Sequence, residues 1–293
     1  MMRILLLGKT GQLGWEAQRS LSTLGEVYSF DYPEVDFTKP ATLAEVVQQH
    51  CPQVIYNAAA YTQVDRAESE PELARLINTE APAALAEAAR RCGAALIHFS
   101  TDFVFDGTKG SPYVEADAPR PLNVYGQTKL EGEQAILQSG CPALILRTAW
   151  VYSTRRDSFV GKVLEWARRQ PELRVVSDQV SNPTWARALA EITAQVLARG
   201  EEDPTSWLQE HHGIYHLAGS GHASRYEWAQ EIIACDPHPE LRQAQRILPA
   251  CTADFPTPAQ RPLFSALDCS KFELTFGLRL PPWQTALRLA MES

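Results

Sequence analysis

Short apolar runs alternate with helical periods through the first half of the chain, and that alternation leaves few architectures open. Residues 3–7, Arg3 followed by Ile4-Leu5-Leu6-Leu7, form a short apolar run without alternation, as in a strand buried on both faces of a parallel sheet. After Gln12, Leu13, Ala17, Leu21 and Leu24 recur at helical spacing, and Gly25 reads as the helix stop. The pattern then repeats with strand 27–30, helix 42–50, strand 54–56, helix 81–91, strand 94–99, helix 125–138 and strand 143–147. Successive β-α-β units predict an α/β fold, a Rossmann-like doubly wound parallel sheet covered on both sides.

Beyond Ala149 prolines multiply and the rhythm loosens, although a helix over 185–198 and an apolar strand over 214–217 are placed to rejoin the sheet. The expected division is a first domain over 1–150, extended by 185–218, and a smaller C-terminal lobe from 151–184 and 219–293. Over 293 residues, 45% are hydrophobic and 21% charged, as in soluble globular chains. A net charge of -8 leaves no dominant basic field, so nucleic acid is not an expected partner. The six cysteines are scattered singly, without the spacing of a zinc site. The apolar N-terminus is too short for a signal peptide, and no stretch approaches the ~20 apolar residues of a membrane span. The expectation is a cytoplasmic protein with reduced cysteines and no membrane partner.

Between the first strand and the first helix lies Gly8-Lys9-Thr10-Gly11-Gln12-Leu13-Gly14. Gly8 permits the tight exit from the strand, Gly11 lets backbone amides approach a pyrophosphate, and Gly14 lets the helix pack closely on the sheet. The helix N-terminus adds partial positive charge for phosphates. No Gly-Lys-Ser/Thr opens the helix, which excludes a P-loop. Asp31 ends the second strand, where an acid reaches ribose hydroxyls and favours NADH. Lys9 inside the loop suits the 2′-phosphate of NADPH instead, so the choice between NADH and NADPH stays open. The run Asn57-Ala58-Ala59-Ala60-Tyr61-Thr62 leaves room for a flat ligand at a strand's carboxyl end, with a small-residue helix start as the competing reading.

Tyr125 and Lys129 lie four positions apart in a predicted helix and so share one face. A phenol with an ordinary pKa of about 10 is a poor reversible proton donor at neutral pH, and a neighbouring ammonium lowers that value. Thr101, in Phe99-Ser100-Thr101-Asp102, follows a strand on the edge where its hydroxyl can bond a carbonyl oxygen. A glycine loop, a hydroxyl after a strand and Tyr-x-x-x-Lys together predict hydride transfer to a carbonyl; each alone is weak.

These motifs resemble the extended short-chain dehydrogenase/reductase superfamily. GKTGQLGWE, NAAAYTQVDRAESEP, FSTDFVFDG, PLNVYGQTKLEGE, RTAWVY, NPTWARALA and FPTPAQRPLFSALD further resemble its dTDP-4-dehydrorhamnose reductase family. The resemblance implies an NAD(P)-binding domain, a nucleotide-sugar substrate, and NADPH- or NADH-dependent reduction of a 4-keto sugar to dTDP-L-rhamnose. It implies that Tyr125 protonates the oxygen, Lys129 lowers the Tyr125 pKa and holds the nicotinamide ribose, and Thr101 polarises the carbonyl. Gly11, Gln12, Leu13, Asp31, Asp36, Phe37, Ala60, Tyr61, Thr62 and Phe99 match cofactor positions. Asp102 and Trp150 match substrate positions. Some relatives hold Mg²⁺ at a homodimer interface; Glu16 fits one ligand position, but Arg187 stands where an acid is expected, which speaks against Mg²⁺ and that mode of pairing. Phe103, in place of a glutamate after Asp102, speaks against a 4,6-dehydratase. A 4-epimerase, or a non-catalytic subunit like the β subunit of methionine adenosyltransferase, remain the alternatives.

Overall fold

The computed structural model describes residues 1–292. In chain order its main elements are β1 (Met2–Leu7), α1 (Gln12–Leu21), β2 (Gly25–Phe30), α2 (Pro40–His50), β3 (Val54–Asn57), α3 (Val64–Ala67), α4 (Pro71–Arg75), α5 (Ala81–Cys92), β4 (Ala95–Thr101), α6 (Val124–Gln138) and β5 (Ala143–Thr148). There follow β6 (Val151–Tyr152), α7 (Phe159–Arg169), β7 (Glu172–Val176), β8 (Val180–Ser181), β9 (Thr184–Trp185), α8 (Ala186–Ala198), α9 (Pro204–Glu210) and β10 (Gly213–His216). The last are β11 (Ala223–Ser224), α10 (Arg225–Ala234), β12 (Arg246–Ala250), α11 (Ser270–Phe276) and α12 (Trp283–Met291).

Six parallel strands form one sheet in the order β2-β1-β3-β4-β5-β10. Side chains alternate across each strand, so one strand feeds two cores. Ile4, Leu6, Tyr56, Ile97 and Leu146 pack with α1, α8 and α11 on one side. Leu5, Leu7, Ile55, Leu96 and Ile145 pack with α2 and α5 on the other. All residues of β4 and β5 are buried, which accounts for the apolar runs that open both strands; polar residues enter only from His98 in β4 and Arg147 in β5. Gly25 does not stop the first helix, which ends at Leu21. It opens β2 instead, where a Cβ would stand 1.9 Å from the Met2 carbonyl oxygen. A backbone contact between strands, not a turn, demands that glycine.

Residues 151–184 and 219–292 contribute a third cluster around Tyr152, Val163, Leu173, Trp228, Trp283 and Leu287, built from α7, α10, α12 and the parallel pair β7–β12. The order β2-β1-β3 reverses direction at β1, and ligands in such sheets bind beyond the carboxyl ends beside that reversal. Gly8, Ala58, Asp102 and Ala149 all follow strands on that rim. Among the described residues no helix is long and apolar enough to cross a membrane.

Candidate active site

The glycine loop is built by close approach. Gly8 has φ +88°, and a Cβ there would lie 2.8 Å from the Ala59 amide; a Cβ on Gly14 would lie 2.0 Å from the Gly8 carbonyl oxygen. The exits of β1 and β3 and the start of α1 are thereby pressed into one cradle. Gln12 opens α1, and its side-chain oxygen is buried without a partner. Leu13 is buried behind it. The Gly8, Lys9, Thr10 and Gly11 amides donate within the protein, so a dinucleotide fits this cradle through the uncapped first-turn amides of α1, which suit its phosphates, and through the orphaned Gln12 oxygen, which can accept from a ribose hydroxyl.

The acids and the cation expected to read the ribose are already engaged. Asp31 accepts bonds from the Thr10 amide and hydroxyl at 2.9 and 2.6 Å, and from the Tyr32 amide at 2.8 Å. It therefore ties the end of β2 to the glycine loop. Lys9 pairs with Glu34 at 2.6 Å. Asp36 accepts from the amide and hydroxyl of Thr38, which hold its carboxyl below the usual range, and Phe37 beside it is buried. Residues 58–63 form an irregular segment, so the helix-start reading fails; α3 begins only at Val64. The reason is lateral support: Asn78, in a π-helical turn over Leu76–Glu80, accepts from the Tyr61 amide at 2.9 Å and donates to its carbonyl at 3.1 Å. The Tyr61 hydroxyl donates to Glu70 at 2.5 Å. Ala60 is half-buried in this strip and Thr62 is exposed.

Thr101 ends β4, and its hydroxyl accepts from the Phe103 amide at 3.1 Å. Asn123 caps α6 by accepting from the Gly126 amide at 2.8 Å, which sets Tyr125 in the first turn. Burial pushes the Tyr125 phenol up to about 12; a hydrogen bond from Thr101 pulls it down, and the Asp102 charge adds to the rise. Lys129 is not what moves it. Its ammonium nitrogen is turned onto the Phe99 carbonyl at 2.6 Å and the His98 ring at 3.1 Å, and burial lowers its pKa to about 8, against the opposing pull of Glu133. The phenol is thus protonated at neutral pH, the form a proton donor needs. Phe99 itself packs on Tyr56 with ring centroids 5.2 Å apart.

Asp102 is 2% exposed, and three hydroxyls hold it: Thr101 at 3.2 Å, Ser181 at 2.8 Å and Ser265 at 2.5 Å. Burial raises its pKa while those bonds and the Arg225 charge lower it. Beyond Asp102 a cleft of about 690 Å³ opens between the sheet edge and the C-terminal cluster. Lys162, Arg174, Arg225 and Arg261 line it, with no acidic side chain among its described lining residues. Trp150 enters the cleft from a backbone at φ +41°, a conformation non-glycine residues seldom adopt, and stacks on Trp228 at 5.5 Å. The Arg225 guanidinium lies 3.7 Å from the Trp150 ring centroid and 4.8 Å from that of Phe159. Lys162, Arg174 and Arg261 pair with Asp157, Asp254 and Asp65. Arg225 makes no ion pair among the described residues, and burial lowers its pKa to about 9.

Sequence reasoning missed Arg225, Ser181 and Ser265. One signal for Arg225 exists: it follows Ser224, whose capping box with Glu227 starts α10, and a cation at a helix N-terminus opposes the helix dipole. Across the α1–α8 groove, Glu16 and Arg187 line the same face, but Arg187 pairs with Glu191 at 2.8 Å. Among the described residues no group of three or more His, Cys, Asp or Glu is placed to hold a metal.

A family model described as the RmlD substrate binding domain matches residues 2–293. The dTDP-4-dehydrorhamnose reductase of Burkholderia thailandensis is 41% identical over 99% of this chain and 98% of its own length. The crystal structure of such a reductase from Clostridium acetobutylicum superposes with a TM-score of 0.90, at 34% identity and 99% coverage of both chains. One from Bacillus anthracis, in complex with NADP, gives 0.89 at 31% identity, covering 100% of this chain and 99% of that one. With the glycine cradle, the Thr101–Tyr125 pair and the cleft beyond Asp102 in place, the chain belongs to the dTDP-4-dehydrorhamnose reductase family.

Proposed function

We propose that this chain reduces the C4 keto group of dTDP-4-dehydro-6-deoxy-L-mannose to dTDP-L-rhamnose, the last step in making that sugar donor, with NADPH or NADH as reductant. The observation that carries the reading is the line from Thr101 and Tyr125, through buried Asp102, to a cleft holding an unpaired arginine. One end suits a carbonyl and the other suits a dianionic diphosphate. Residues 1–150 with 185–218 would hold the dinucleotide, and residues 151–184 with 219–293 the nucleotide sugar.

When bound, the reduced nicotinamide supplies hydride to the carbonyl carbon. The chain supplies the proton and the geometry. The Thr101 hydroxyl bonds the carbonyl oxygen, and Tyr125 donates its phenolic proton to that oxygen as charge develops. A sugar alkoxide is a far stronger base than a phenolate, so a phenol with pKa near 12 still gives its proton downhill. One hydride and one proton balance ketone to alcohol. Lys129, on the same face of α6, lies beside the expected nicotinamide ribose. The cofactor-contact roles proposed for Gly8, Gly11, Gln12, Leu13, Gly14, Asp31, Asp36, Phe37, Ala60, Tyr61, Thr62 and Phe99 follow from their places on the rim. Arg225 and Arg261 would meet the diphosphate, and Trp150 would offer a flat apolar face to the sugar or base.

The test is loss of NADPH or NADH absorbance with purified protein and the keto-sugar nucleotide, generated in place by a dehydratase and an epimerase. Protein-dependent oxidation yielding dTDP-rhamnose is expected. Nucleotide binding without oxidation by either reductant would overturn the reading in favour of a non-catalytic subunit.

A further inference from the structure

A dinucleotide brings a doubly negative pyrophosphate to a glycine loop whose own amides are engaged elsewhere. Gly8 and Lys9 donate to the Phe30 carbonyl, Thr10 to Asp31 and Gly11 to the Gly8 carbonyl. Full positive charge reaches the loop from far along the chain. Residues 153–158, between β6 and α7, form an excursion closed on itself, with the Ser158 hydroxyl donating to the Ser153 carbonyl at 2.9 Å. Its tip lays two exposed arginines across the start of α1. Arg155 donates to the Thr10 carbonyl at 3.1 Å and to the Gly11 carbonyl at 3.5 Å, and Arg156 donates to the same Thr10 carbonyl. The Arg155 guanidinium also lies 3.9 Å from the Trp15 ring centroid, and that of Arg19 lies 3.7 Å from the same ring. Neither Arg155 nor Arg156 makes an ion pair among the described residues. Asp157, next in sequence, pairs with Lys162 at 3.3 Å. The Arg155 pKa is lowered by partial burial and by the Arg156 and Arg19 charges, against the opposing pull of Glu16.

We propose that Arg155 and Arg156 are the cation pair for the pyrophosphate of the dinucleotide, turning from the Thr10 and Gly11 carbonyls onto its oxygens when it binds. The inference rests on the reading above, in which the glycine loop holds NADPH or NADH. Two guanidiniums that share one neutral carbonyl repel each other, and an anion between them converts that repulsion into attraction. The guanidinium fork matches phosphate oxygens in geometry as well as charge. Position selects the pyrophosphate over the 2′-phosphate of NADPH. The two carbonyls lead into the first turn of α1, whose amides have no side-chain cap. The ribose end of the loop is marked instead by Asp31 on Thr10 and by Lys9, which is already paired with Glu34. The excursion is anchored on both sides of the arginines, by the Val151 carbonyl accepting from Gln12 at 3.4 Å and by α7, so its tip can turn without leaving the site.

The test needs no turnover. Titration calorimetry gives Kd for NADPH and for NADH with the wild-type chain, with Arg155→Gln, with Arg156→Gln and with the double variant. Both side chains are exposed, so the variants should melt close to the wild type. The double variant should raise Kd about 10-fold for both dinucleotides, the low end for charged hydrogen bonds at a screened position, and each single variant should raise it less. Added salt should weaken wild-type binding more than binding by the double variant, a difference that a purely structural brace on Thr10 would not produce. An unchanged Kd in the double variant, or equal salt dependence, would overturn the proposal. A rise confined to NADPH would also overturn it, by moving the pair to the 2′-phosphate. Wild-type protein that binds neither dinucleotide would overturn the cofactor reading and this proposal with it, whereas normal wild-type binding beside an unaltered double variant overturns the proposal alone.

Discussion

The sheet rim and the cleft of the C-terminal lobe handle charge in opposite ways. On the rim, each group expected to meet the dinucleotide already has an internal partner: Asp31 on Thr10, Lys9 on Glu34, Asp36 on Thr38, Tyr61 on Glu70 and Lys129 on Phe99 and His98. In the cleft, Arg225 lies half-buried against aromatic rings with no carboxylate in contact, Asp102 supplying the opposing charge from farther off. A half-buried charge that makes no ion pair is only partly compensated. The rim is therefore a self-sufficient scaffold that a ligand can borrow, while the cleft is left incomplete until an anion arrives. Dinucleotide binding should tolerate loss of single polar contacts, and nucleotide-sugar binding should not.

The sharpest way to separate the two regions is at the reacting atoms between them. Tyr125→Phe should cut turnover by about 10²- to 10⁴-fold with dinucleotide affinity nearly intact, measured by steady-state rates and cofactor titration; near-normal turnover would remove Tyr125 as the donor. Arg225→Gln should raise KM for the nucleotide sugar by about 10- to 100-fold, the range for losing a hydrogen bond to a charged group, about 1.5–3 kcal/mol. Its melting temperature should fall little, because Arg225 makes no ion pair among the described residues and only its longer-range attraction to Asp102 is lost; a large drop in melting temperature would make Arg225 a structural residue. Ser265→Ala, by taking one hydroxyl from the Asp102 carboxylate, should cost about 1.5 kcal/mol of stability in a denaturant titration. No loss would mean that Asp102 is satisfied by its other partners alone. The smallest effect belongs to the rim: Asp31→Ala should raise KM a few-fold, more for NADH than for NADPH. Equal rises would reduce Asp31 to a brace for Thr10.

The sheet was legible because its information is local. Strands buried on both faces are written as unbroken apolar runs, and the glycine spacing lies within one turn of chain. Gly25 was misread for the same reason: its small size answers to Met2 on the neighbouring strand, which helical spacing cannot report. The site was legible only where motif and local element coincide, as at Thr101, Tyr125 and Lys129. The partners of Asp102 lie 79 and 163 residues away in sequence, and no periodicity links them. Arg225 and His98 acquire meaning from what surrounds them after folding. The inward turn of Lys129 onto Phe99 likewise depends on how α6 docks against β4.

The grip on Asp102 bears on how such chains can be recombined. Its three hydroxyls come from the end of β4, from β8 and from the segment around Ser265, stretches contributed by both halves of the molecule. A fragment ending near residue 150 would keep the carboxylate and lose both serines, so the two halves are not interchangeable cassettes. A graft of the C-terminal lobe from a relative with another sugar preference will lose about 1.5 kcal/mol for each hydroxyl it fails to bring to those two places, unless Asp102 is exchanged with it.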